Sequence, residues 1–177
     1  MKTKNAIHFH MPEEENGYLS NWDMIGFVLD GKRYCCAEQY LMEQKAILFG
    51  DTAIAEKIMQ TEDPQTMQDL GRAVYPFNGK IWDGSKQLIL YRALVAKFDQ
   101  NPSLATKLIK TGDAILAECS ASDRIWGIGR GMEDPRTNDM AAWDGRNLLG
   151  FTLMQVRDDE CKRNTPSPKN AAPAEED

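Results

Sequence analysis

Ala37-Glu-Gln-Tyr-Leu-Met-Glu-Gln-Lys-Ala-Ile-Leu-Phe49, closed by Gly50, is the stretch on which the reading of the fold turns. Its spacing predicts a helix whose apolar stripe is Ala37, Leu41, Leu48 and Met42. Glu38 and Lys45 stand seven residues apart, so on an ideal helix they lie about 20° from one another. Both therefore flank or interrupt the stripe, whereas Glu43 and Gln44 point elsewhere. A carboxylate and an ammonium at the edge of a buried face are costly to desolvate unless they are paired or used. Two amphipathic side chains snorkelling to solvent are the alternative, and helix geometry alone leaves both readings open.

Outward from this helix the chain continues as more helix. Asp51 is placed to cap a second one over 52–61. Asp63-Pro64 sets Asp at the cap and Pro at the first helical position of a third, ending near Val74. Residues 85–99 predict a long amphipathic helix with Leu88, Tyr91, Leu94, Val95 and Phe98 on one stripe. Here Asp83-Gly84 reads as a turn or Ser85 as the cap, and Trp82 as a core aromatic or a site residue. Lys86, Arg92 and Lys97 read as solvated-face charges. Asn101-Pro102 repeats the cap-then-proline signal for a helix to Lys110, stopped by Gly112. A strand is expected over 115–119 and a last helix over 148–159.

Toward the amino end, Ile7, Phe9 and Met11 alternate with His8 and His10, a period of two that suits a short strand. Phe27-Val-Leu29, Asp30-Gly31 and Lys32-Arg-Tyr34 read as a hairpin with a two-residue turn. The expected class is α+β, a single mostly helical domain with a small sheet over 1–160. Residues 161–177 lack apolar periodicity, are rich in Pro, Ala and charge, and read as a disordered tail.

Composition bounds the function. With 177 residues and 42% hydrophobic content the chain can bury one core. No apolar run approaches the roughly 18 residues of a membrane span, and no apolar segment follows the basic start as in a secretory signal, so a cytoplasmic protein is expected. The four cysteines show no CxxC spacing and His8 and His10 lie far from them, so no metal site is expected and the thiols read as reduced. A net charge of -6 argues against a general nucleic-acid binder but leaves room for a basic pocket holding one phosphate.

A second cluster is Asp123-Arg-Ile-Trp-Gly-Ile-Gly129. Gly127 and Gly129 either let backbone amides approach a ligand or serve tight turns. Trp126 offers a flat face for a base or sugar, and Asp123 stands at a loop start where carboxylates also cap turns. The glycine spacing does not match a dinucleotide fingerprint. Gly71-Arg72 either holds a phosphate or is an ordinary surface arginine. No GxSxG, phosphate loop or histidine near a Ser or Cys occurs, so any catalysis falls to carboxylates, lysine or backbone donors.

Taken in order, these residues resemble the NADAR (YbiA-like) family. The resemblance rests on Tyr18-Leu-Ser-Asn-Trp22, Leu29-Asp-Gly-Lys32, Ala37-Glu-Gln-Tyr40 with Gln44-Lys-Ala46, and Leu70-Gly-Arg72. It continues through Trp82-Asp83, Arg92-Ala-Leu-Val-Ala-Lys-Phe98, Asn101-Pro102 and Thr111-Gly-Asp113. Leu116-Ala-Glu118, Asp123 to Gly129 and Gly145-Arg-Asn-Leu-Leu-Gly150 complete it. It spans nearly all of 7–158. The resemblance implies a mixed α+β domain with N-glycosidase activity and no cofactor. One branch cleaves phosphoribosylamino-pyrimidine intermediates of riboflavin synthesis, and another removes ADP-ribose from guanine bases. The partner is thus a small phosphoribosyl or ADP-ribosyl substrate, with nucleic acid only as a modified substrate. By the resemblance, catalytic positions fall on Glu38, Lys45 and Asp123, and substrate-binding ones on Asn21, Trp82, Trp126 and Asn147; the residue reading above adds Arg72, Gly127 and Gly129 as substrate-binding candidates. Two departures stand out. Glu38-Gln39 replaces the usual Glu-His, and an insertion over 130–142 enlarges the loop before Asn147, which bears on substrate choice.

Overall fold

The structure, a computed structural model, describes residues 5–164. Two short sheets and six helices make up the domain. Strand β1 is Ala6–Phe9, and the hairpin is β2 (Phe27–Leu29) with β3 (Lys32–Tyr34). Helices α1 (Ala37–Leu48), α2 (Thr52–Met59) and α3 (Pro64–Arg72) follow, then α4 (Gly79–Asp99) and α5 (Pro102–Lys110). Strand β4 (Ile115–Glu118) and helix α6 (Leu148–Asn164) close the fold. The predicted α+β class holds. The hairpin turns at Asp30 and Gly31, both at positive φ, as the two-residue turn signal requires.

The central element is α1, which packs against α2, α3 and α4. Residues 37–43 are all buried, so the expected one-sided stripe is wrong in detail. Leu48 is exposed, while Glu43 faces inward. A helical segment buried on every face must satisfy its polar side chains internally. Gln39 does so by donating to Ile58 O at 3.1 Å and Thr61 O at 3.0 Å and accepting from Cys35 N. Glu43 accepts from Lys32 Nζ at 2.5 Å and Tyr34 OH at 2.7 Å.

Helix α4 begins six residues before the expected 85. Asn78 Oδ1 accepts from Lys80 N and Ile81 N, a side-chain cap that carries Trp82, Asp83 and Gly84 into the helix. The expected turn at Asp83-Gly84 is therefore replaced by helix. Leu88 is 66% exposed and off the core face, and Lys86 and Lys97, expected on the solvated face, are buried. Arg92 remains outside and pairs with Asp30.

Strands β1 and β4 pair in parallel, with Phe9 opposite Glu118. Helix α6 packs on β4 and α4 and runs to Asn164, so 161–164 are helical rather than tail. Its last turn is tied down by Arg163, which holds Asp99 at 2.7 Å. The rest of the expected tail lies outside the described residues. No helix among the described residues is long and apolar enough to cross a membrane.

Candidate active site

One side of α1 opens into a cleft of about 830 Å³. Glu38 lines it from the first turn of the helix, with 5% of its surface exposed. Unlike Gln39 and Glu43, its carboxyl has no hydrogen-bond or ion-pair partner among the described residues. Desolvation, reinforced by Asp123, pushes its pKa up to about 8 against the opposing charges of Arg72 and Lys45. A buried carboxylic acid left out of the internal network is available for other chemistry.

Lys45 reaches the same cleft two turns on. Helix α3 approaches so closely at Gly71 that a Cβ there would sit 2.1 Å from Met42 Sδ. That approach brings Gly71 O within 2.7 Å of Lys45 Nζ. The ammonium also stands 4.6 Å from the Phe77 ring and 5.5 Å from the Trp82 ring. Burial, and then Arg72, lower its pKa, while Glu38 opposes the shift.

The loop before the hairpin is pinned from within. Lys97 of α4, wholly buried, donates to Tyr18 O at 2.8 Å and Ser20 O at 3.3 Å and pairs with Asp23 at 2.9 Å. Glu38 N in turn donates to Asn21 O at 3.0 Å. These bonds seat Asn21 and Trp22 in the cleft beside Glu38. Asn21 Oδ1 is buried without a hydrogen-bond partner among the described residues, a polar atom that a ligand donor would satisfy.

The opposite wall comes from the carboxyl ends of the two parallel strands. His10, next after β1, places Nδ1 2.6 Å from Glu118 Oε1 at the end of β4. Burial lifts the Glu118 carboxyl to about 7, and the Glu118 contact raises His10. Beyond β4, Asp123 Oδ1 accepts from Ile125 N and Trp126 N, both at 2.8 Å. This turn delivers Asp123 and Trp126 to the cleft.

Of the residues singled out from sequence, Glu38, Lys45, Asp123, Asn21, Arg72, Trp82 and Trp126 line one cleft. Gly127, Gly129 and Asn147 do not. A Cβ on Gly127 would meet Glu118 O and Asp123 O at 2.9 Å, and Gly129 has φ +70° beside Asp144, so both serve close packing and turning. Asn147 is buried, donating to Leu116 O at 2.8 Å and accepting from Glu118 N at 3.0 Å. It braces β4 behind the wall. The insertion contributes nothing to the lining. Arg130 is folded onto Asp134 and Asp144, and Arg136 onto Asp134. Sequence reasoning missed Glu118 and His10 as a pair, and Trp22. A carboxylate ending an apolar strand, Ile115-Leu-Ala-Glu118, was the available signal, because ligands gather at the carboxyl ends of parallel strands. Among the described residues no group of three or more His, Cys, Asp or Glu side chains is placed to hold a metal ion.

Buried carboxyls, a lysine and three indoles around one cleft define a class: a small, mostly helical domain that gathers acidic, cationic and aromatic side chains in one cleft. The chain belongs to the NADAR family, whose domain model matches residues 8–159. It is 37% identical over 167 residues to an N-glycosidase of Acanthamoeba polyphaga mimivirus, covering 90% of this chain and 98% of that protein. It is 30% identical over 152 residues to the Escherichia coli N-glycosidase YbiA, covering 86% of each. The NMR structure of E. coli YbiA superimposes with a TM-score of 0.76 at 27% identity, covering 95% of this chain and 93% of that one. A riboflavin biosynthesis protein of Vibrio vulnificus is 31% identical over 156 residues, which are 88% of this chain and 39% of that protein.

Proposed function

We propose that this chain is an N-glycoside hydrolase that cleaves the C1–N bond of a ribose-phosphate N-glycoside. Phosphoribosylamino-pyrimidine intermediates of riboflavin biosynthesis are the favoured substrate. The observation that carries the reading is Glu38: buried, without a partner among the described residues, held largely protonated at neutral pH, and set in a cleft with cationic and aromatic walls. The relatives named N-glycosidases support the bond type. The Vibrio relative, named a riboflavin biosynthesis protein, favours a substrate from that synthesis.

Breaking the bond develops positive charge at C1, or opens the sugar to an imine. Glu38 donates its proton to the leaving nitrogen or ring oxygen. Asp123 stabilises the cation, its orientation set by the two amides it caps. Trp82 and Trp126 pack on the departing base. Lys45 and Arg72 supply positive charge for the phosphate. The depressed basicity of Lys45 favours a second role, attack on C1 as an amine to give a Schiff base, which suits ADP-ribosyl substrates better. Removal of ADP-ribose from guanine in nucleic acid is the alternative substrate reading. It is disfavoured because Arg130 and Arg136 are held by Asp134 and Asp144 instead of forming a basic rim with Arg124. A non-catalytic nucleotide-binding module is the remaining alternative.

The test is a product assay on both substrate types with wild type and Glu38→Gln. Release of ribose phosphate from the pyrimidine glycoside, falling on the order of 100-fold or more in the variant, is expected. Binding without release by wild type would establish the non-catalytic reading. Borohydride present during turnover traps a sugar on Lys45 only if the covalent route operates.

A further inference from the structure

We propose that His10, oriented by Glu118, is the general base that takes the proton of the attacking water. The inference rests on the hydrolase reading above. The two side chains line the cleft together, with Nδ1 of His10 2.6 Å from Oε1 of Glu118. The Glu118 side chain is 8% exposed and that of His10 38%, so the carboxylate stands behind and the imidazole in front. That is the order in which a carboxylate fixes the tautomer of a catalytic imidazole. With the Nδ1 proton directed to Glu118, Nε2 retains its lone pair.

The carboxylate is itself rigidly mounted. Glu118 N is held by Asn147 Oδ1 at 3.0 Å, and its carbonyl accepts from Ile128 N at 2.9 Å. The parallel register sets Phe9 opposite Glu118, which places His10 at the strand end beside it. The other candidates for base are committed elsewhere. Glu38 holds the proton that the leaving group needs. Lys45 donates to Gly71 O. Asp123 Oδ1 accepts two amides, which commits that oxygen to the turn.

The step balances as follows. Water oxygen forms a bond to C1, and its proton passes to His10 Nε2. The C1–N bond breaks with its electron pair going to nitrogen, which takes the Glu38 proton. The products are a C1 hydroxyl and a free amine. His10 then returns its proton through solvent to the Glu38 carboxylate, restoring both groups.

The acidic groups facing His10 are Glu118 at the end of β4, Glu14 in the loop after β1, and Asp123 beyond β4; all raise its pKa, against desolvation. The neutral imidazole therefore prevails on the alkaline side of the ordinary histidine value, about 6.5. Glu38 keeps its proton below about 8, set by burial and Asp123 against Arg72 and Lys45. Protonation of His10 on the acid side and ionisation of Glu38 on the alkaline side each remove activity, which yields a bell-shaped pH profile.

The experiment measures kcat and KM against pH on the phosphoribosylamino-pyrimidine for wild type, His10→Gln and Glu118→Gln. Histidine ring titration by NMR runs alongside, the His10 signal being assigned by its loss in His10→Gln. His10→Gln is expected to lower kcat about 100-fold or more with little change in KM, and to abolish the acid limb. Glu118→Gln is expected to shift that limb and the His10 titration to lower pH together. His10→Ala with added imidazole, expected to regain part of the lost rate, serves if the glutamine variant does not fold. A His10→Gln enzyme with wild-type kcat and an intact acid limb overturns the assignment alone. Absent imidazole rescue, or a limb that does not follow the His10 titration, does the same. Wild type inactive on both glycosides overturns the hydrolase reading and this inference with it.

Discussion

Glu38 binds its proton more tightly in the native protein than in the unfolded chain, the carboxyl moving from 4.5 to about 8 on burial. A raised carboxylate pKa contributes stability that is fully present below about 4.5 and lost as the pH rises through about 8. Glu38→Gln keeps the side chain's size and removes its charge. The variant is expected to exceed wild type in stability at pH 8 by on the order of a few kcal/mol, with the gap closing toward pH 4.5. Urea unfolding at a series of pH values measures it, and a gap independent of pH would mean the carboxyl is solvated. Glu118, raised to about 7, has the same sign in both proteins and cancels in the difference. At this scale the seven-residue offset of Glu38 and Lys45 was legible, because helical geometry is local. The contact of His10 with Glu118 spans 108 residues and depends on a parallel pairing that neither segment announces.

Helix α6 carries the brace of the wall through the closeness of its first turn to β4. A Cβ at Gly150 would sit 2.0 Å from Leu116 O and 2.6 Å from the Asn147 amide. Gly150→Ala gains about 1 kcal/mol of helix propensity. The clash is with backbone and cannot be relieved by a rotamer change, so the net effect is expected to be destabilisation by about 1–3 kcal/mol. Denaturant midpoints decide the sign, and a more stable variant would show that α6 shifts freely on the strand. Helix existence was readable from caps and prolines at Asp51, Asp63-Pro64 and Asn101-Pro102, since those signals act within one turn. The start of α4 was not, because Asp83-Gly84 has turn composition while the operative cap, Asn78, lies five residues earlier.

For the whole molecule, the cleft depends on Lys97, which crosses the core to hold the loop bearing Asn21 and Trp22. Lys97→Met keeps the stem and removes the ammonium, leaving Asp23, 17% exposed on its side chain, without its cation. Loss is expected to approach the ~3–5 kcal/mol of a broken buried pair, reduced by water reaching Asp23. KM is expected to rise as the loop loosens, with pH optimum unchanged. Thermal unfolding and steady-state kinetics report the two effects separately. An unaltered KM would show that the loop is held by its other contacts.

From sequence alone came the α+β class, the order of helices, the family resemblance and the nearness of Glu38 and Lys45 along one helix. All of these follow from periodicity, capping and ordered motifs, which are properties of neighbouring residues. Tertiary structure alone decided that the first two turns of α1 are buried on every face, that Lys86 and Lys97 are buried, and that Gly127, Gly129 and Asn147 support the wall instead of lining it. It also decided that His10 meets Glu118. Burial and partnership are set by which distant segments pack together, and the chain's local pattern carries no record of that pairing.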